Sequence, residues 1–191
     1  MKMKFINLML GAALIVGLSA CGGKKSITKE TGFQELEIPC TDKGRSDANF
    51  FRAASVGKSQ DLATSKEKAL LLTKQRLASL ISSTLKSVSE RYVNEMDAGD
   101  ASEFNQNFEN MTRDVVNQQL VDVTIICEKT GKTSDGKFET YMAIEVSKDA
   151  IYNGVNKGIG RDKKLEVKYD QMKFKEKFDE EMNKLEKQQG N

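Results

Sequence analysis

The sequence predicts an α+β fold: a small antiparallel sheet with long helices packed on one face, plus a charged amphipathic helix at the C-terminus. Three observations lead there. Apolar residues recur every three or four positions through residues 60–96. Two runs with period-two alternation, 120–129 and 137–146, flank the turn-rich stretch Thr130-Gly131-Lys132-Thr133-Ser134-Asp135-Gly136. A strongly charged segment, 162–188, keeps apolar residues at helical spacing.

Taken in order, residues 34–40 alternate Leu36, Ile38 and Cys40 with Glu35, Glu37 and Pro39, which predicts a short half-buried edge strand. Residues 42–47 form a loop. Residues 50–56, Phe-Phe-Arg-Ala-Ala-Ser-Val, read as a strand that Gly57 ends. The long helix follows, with Leu62, Leu70, Leu77, Ile81, Leu85, Val88, Tyr92 and Met96 on one stripe and Ser59 or Asp61 as its N-cap. The run Asp97-Ala98-Gly99-Asp100 breaks it. A more polar helix, 101–119, carries Phe104, Phe108, Met111 and Val115 on one face. The two alternating runs then form an antiparallel hairpin. Its first strand places Val121, Val123, Ile125 and Cys127 on one face, and its second turns Phe138, Thr140, Met142, Ile144 and Val146 to the core. Residues 147–189 are largely helical, interrupted near Gly158-Ile159-Gly160.

Composition excludes several chemistries. The 191 residues contain no histidine, which removes Ser-His and Cys-His nucleophiles and histidine metal ligands. The formal charge of +2 lacks the basic excess of nucleic-acid binders, so no nucleic-acid partner is expected. Gly57-Lys58-Ser59 lacks the earlier glycine of a phosphate-binding loop, since Arg52 stands there. Asp97, Asp100 and Glu103 fall short of a calcium loop and read as acidic residues around a helix break. Glu139 and Glu145 lie on the solvent-facing register of a strand and read as polar surface. No cofactor, metal site or catalytic residue is expected.

The N-terminus is more informative. Lys2 and Lys4 precede an apolar stretch from Phe5 to Leu18, shorter than the roughly 20 residues a bilayer span needs. Leu18-Ser19-Ala20-Cys21 resembles a bacterial lipobox, which implies a signal peptide over residues 1–20, lipidation of Cys21 and cleavage before it. Gly22, rather than an acidic residue, then implies sorting to the outer membrane. Two or three acyl chains make a durable anchor, at about 0.8 kcal/mol per buried methylene. Residues 21–33 are too polar to fold and form a flexible tether. The domain proper is expected over residues 34–160 and the charged helical tail over 161–191.

Cys40 and Cys127 are two thiols in an exported chain. Alternation turns both to the apolar side of the sheet, where they either bridge or sit apart as small hydrophobes. A bridge would contribute on the order of 4–5 kcal/mol by closing a long loop. In the tail, Leu165, Tyr169, Met172, Phe174, Phe178, Met182 and Leu185 form a stripe that packs on the domain or docks on an envelope protein or a second copy.

Ala54-Ser55-Val56-Gly57 running into Asp61, Ala63, Ala69 and Arg76-Leu77-Ala78 resembles the strand-to-helix signature of the Lpp-twenty bacterial lipoproteins, and is similar to related N-terminal domains of the flagellar assembly protein T. The hairpin from Ile126-Cys127-Glu128 to Tyr141-Met142-Ala143-Ile144 fits the same layout. The likeness covers roughly residues 50–146 and departs at Leu72-Thr73, where a further small residue is expected. It implies an envelope location and a non-catalytic structural or protein-interaction role. The other reading is an envelope module that binds a small molecule or glycan.

Overall fold

The computed structural model describes residues 36–95 and 101–189. The leader, Cys21 and its tether, and Met96, Asp97 and Asp100 lie outside them. The elements are β1 (Phe50–Ser59), α1 (Leu62–Glu95), α2 (Ala101–Gln119), β2 (Thr124–Lys132), β3 (Phe138–Ser147), α3 (Lys148–Ile159), α4 (Lys163–Glu166) and α5 (Gln171–Gln189), preceded by a 3-10 turn at Asp42–Gly44. The sheet is antiparallel with order β1-β3-β2. Helices cover one face, as the α+β expectation required.

The most apolar strand, β3, takes the centre. Thr140, Met142, Ile144 and Val146 are buried on its inner face, beside Phe51, Ala53 and Gly57 of β1. Helix α1 crosses this face on small residues. Ser65, Ala69 and Thr73 are fully buried there, and Thr73 tucks its hydroxyl onto the Ala69 carbonyl at 2.6 Å. This is where a further small residue was expected, and threonine satisfies the space by bonding its own helix. Ser65 Oγ donates to the Gly57 carbonyl at 3.0 Å and meets Thr140 Oγ1 at 2.8 Å, which in turn meets Thr130 Oγ1 at 3.0 Å. A line of hydroxyls, buried at Ser65 and Thr140 and reaching the surface at Thr130, therefore fastens the helix across the sheet. Asp61 is the N-cap, accepting from the Thr64 amide at 2.8 Å.

Strand β1 does not end at Gly57 but runs on to Ser59. Gly57 is present for space: a Cβ there would sit 2.2 Å from the Ser65 carbonyl oxygen and 2.3 Å from the Ala69 nitrogen. Side chains close the free edge of β1. Ser46 Oγ accepts from the Arg52 amide and donates to its carbonyl, and Arg76 donates to the Ala54 carbonyl at 2.9 Å. At the hairpin tip Gly136 adopts φ 83° after a turn closed by its amide on the Thr133 carbonyl.

Two strand expectations fail. Residues 36–40 form no strand. Leu36 is 70% exposed, and Ile38-Pro39-Cys40-Thr41 is a turn, with the Thr41 amide on the Ile38 carbonyl, proline second and Cys40 third at φ 64°. The first hairpin strand starts at Thr124 rather than 120, because residues 120–122 prolong the end of α2 through bonds to Val116, Gln118 and Gln119 carbonyls. Val121 is 73% exposed in that turn.

The tail is part of the core. One compact unit begins at Glu37 and includes α4 and α5. Leu165, Phe174, Phe178, Met182 and Leu185 are buried, while Met172 is 84% exposed. Phe174 packs with Tyr92, Phe108 and Tyr169, and Phe178 with Phe51 and Tyr152. Tyr92 holds the turn before α5, donating to the Lys168 carbonyl at 2.9 Å and accepting from the Asp170 amide at 2.6 Å. Of the two readings of this stripe, packing on the domain is the one found, apart from Met172, so a boundary at 160/161 has no counterpart in the packing. The far end of α5 returns to the N-terminal arm, where Gln189 Oε1 accepts from the Ser46 amide at 2.7 Å.

Candidate functional site

The outer face of the sheet carries the cysteines. Cys40 and Cys127 form a disulfide with Cα atoms 5.6 Å apart and a sequence separation of 87. Both sulfurs were expected on the helix side, and this is corrected by a β-bulge. Ile125 pairs with Ile144 and Cys127 with Ala143, so Ile126 is an extra residue and the alternation inverts across it. Cys127 thereby shares a face with Ala143 and Ala54, away from the helices. Residues 37–49 lie over that face, and a Cβ on Gly44 would come 2.4 Å from that of Ala54.

The carboxylates of the outer face are engaged with cations. Arg52 bonds Asp47 and, at 2.8 Å, Glu145. Glu139 takes Lys58 at 2.6 Å and the Tyr141 hydroxyl at 2.8 Å. Glu139 and Glu145 are therefore separate members of two ion-pair groups rather than a working pair. Gly57-Lys58-Ser59 is strand, not a phosphate-cradling loop. Glu103 pairs with Lys164 at 2.7 Å. Among the described residues no group of three or more acidic or cysteine side chains is placed to hold a metal, and no helix is long and apolar enough to cross a membrane.

These pairs set the acid response. Burial pushes the Asp47 carboxyl up, but the Asn49 amide, Arg52 and the Phe50 amide outweigh it and the net shift is downward. Burial likewise opposes, and Lys148 and Lys175 reverse, the shift at Asp179, whose net change is also downward. Lys58, then Tyr141, lowers Glu139. A carboxyl depressed in the folded state contributes stability that is complete above its unfolded value, about 4, and is lost as pH falls through the folded one. With no histidine in the chain, the thermal midpoint should be level from about pH 5 to 8 and drop below about pH 4. A midpoint scan across that range checks it, and a step near pH 6 would contradict it.

A recess lies elsewhere, between α2 and α3. It encloses about 630 Å³. The floor exists because α3 places Gly154 and Gly158 against α2. A Cβ on Gly154 would come 2.8 Å from Val115 Cγ1, and one on Gly158 2.6 Å from Met111 Sδ. The helices run antiparallel here, Met111 facing Gly158 and Val115 facing Gly154. The walls are polar: Asn107, Asn110, Asp114 and Gln118 from α2, Asn153 and Lys157 from α3. The Asn107 Nδ2 is buried without a hydrogen-bond partner, whereas Asn105 and Asn156 are bonded to Ser89 and Tyr169. Sequence reading missed this trough. Its polar residues look like the solvated face of a helix, and the interruption read near Gly158-Ile159-Gly160, where α3 does end, says nothing of Gly154 and Gly158 packing on α2. The signal that was there is the i, i+4 spacing of the glycines inside an otherwise helical stretch.

No family model, curated protein or solved structure matches the chain.

Proposed function

We propose that the protein is a bacterial lipoprotein, held to the outer membrane by acyl chains on Cys21, whose domain has a non-catalytic structural or protein-interaction role in the cell envelope. The observation that carries this reading is the Cys40–Cys127 disulfide. Disulfides persist in exported proteins and are rare in a reducing cytosol. That agrees with the leader ending in Leu18-Ser19-Ala20-Cys21. An envelope partner would meet the charged surfaces of the domain, because the apolar stripe of α5 is inside it.

Feeding cells an alkyne-tagged palmitate tests the anchor. Wild-type protein should take the label and sediment with the outer membrane. Cys21→Ser should remain unlabelled, unprocessed and misplaced. Equal labelling of the two would overturn the assignment of Cys21, and cytoplasmic protein with reduced cysteines would overturn the proposal as a whole.

A further inference from the structure

We propose that the trough between α2 and α3 is a binding site for a short neutral oligosaccharide, a role beyond the structural one above. Its walls carry the chemistry of such a ligand. Asn107, Asn110, Asp114 and Gln118 follow one another at intervals of three, four and four residues, lining about 16 Å of α2 at 1.5 Å per residue. Asn153 and Lys157, one turn apart, form the facing wall. A carboxamide both donates and accepts, and a pair of adjacent ring hydroxyls asks for that combination.

Three further features narrow the ligand. The trough is charge-balanced, Asp114 and Asp162 against Lys157 and Arg161, so it selects neither anions nor cations. The floor of Met111, Val115, Gly154 and Gly158 is narrow and apolar, matching the C–H face of a sugar ring between its hydroxyl edges. A volume of about 630 Å³ falls inside the usual range for small-ligand sites.

The test is calorimetric titration of the full chain, purified in a detergent without a sugar head group, with chitotriose, cellotriose and maltotriose. At least one should bind, with Kd below about 1 mM. Asn110 and Gln118 are exposed wall residues, so N110A/Q118A should fold with an unchanged thermal midpoint and bind that sugar at least about tenfold more weakly. Three results would overturn the site: no heat with any of the three at about 10 mM, sugar binding that N110A/Q118A leaves intact, or binding of an unstructured Gly-Ser-Thr pentapeptide in place of sugar. Each leaves the Cys21 labelling result untouched, so the two proposals fail separately.

Discussion

Replacing Gly57 by alanine should lower stability by about 3 kcal/mol or more, the upper end of what overpacking costs in a tight core. The added methyl would lie 2.2 Å from the Ser65 carbonyl oxygen and 2.3 Å from the Ala69 nitrogen. Both are helix backbone, so no side chain can rotate away. Either α1 lifts from the sheet or β1 bends back. Lifting separates Ser65 from Thr140 and the Gly57 carbonyl, so buried hydroxyls lose partners as well as packing. Gly131 is the control. It lies in β2 with open space around it, and G131A should change stability by no more than about 0.5 kcal/mol. Urea denaturation of both variants decides the matter: equal midpoints would mean that α1 does not approach β1 so closely.

Removing the disulfide should cost about 4–5 kcal/mol, the loop-closure entropy for cysteines separated by 87 positions in sequence. C40S/C127S should therefore unfold at much lower urea, and reductant should change its midpoint no further. The backbone makes a finer forecast. Cys40 is the third residue of a turn at φ 64°, a conformation glycine adopts freely and other residues adopt at a cost of about 1 kcal/mol. C40G/C127S should accordingly recover part of the loss and stay above C40S/C127S in a melting comparison. If the serine variant is the more stable, the bond is not what holds Cys40 in that conformation.

Much of the fold was legible because local pattern and final burial agree. The stripe from Leu77 through Tyr92 is buried as spaced, α2 keeps its expected limits, and the inward set of β3 is the one alternation selects. What was not legible has physical causes. Alternation around Pro39 imitates a strand, yet proline lacks the amide a ladder uses, and its fixed φ starts a turn instead. The stripe of α5 shows that a face is apolar but not what covers it. The α2–α3 trough is a property of two helices at close range, and neither helix reveals it alone. A bulge is hardest of all, because a single extra residue at Ile126 leaves composition and spacing unchanged while inverting everything after it.

That inversion has a consequence for what one short strand can do. The turn sets the register from its tip, so Cys127 lies opposite Ala143 whether or not Ile126 is looped out. The bulge decides the residues before it. Without it Ile125 would lie opposite Glu145 on the outer face instead of opposite Ile144 on the inner one. One inserted residue thus lets two positions that plain alternation would put on the same side carry a cysteine outward and an isoleucine inward.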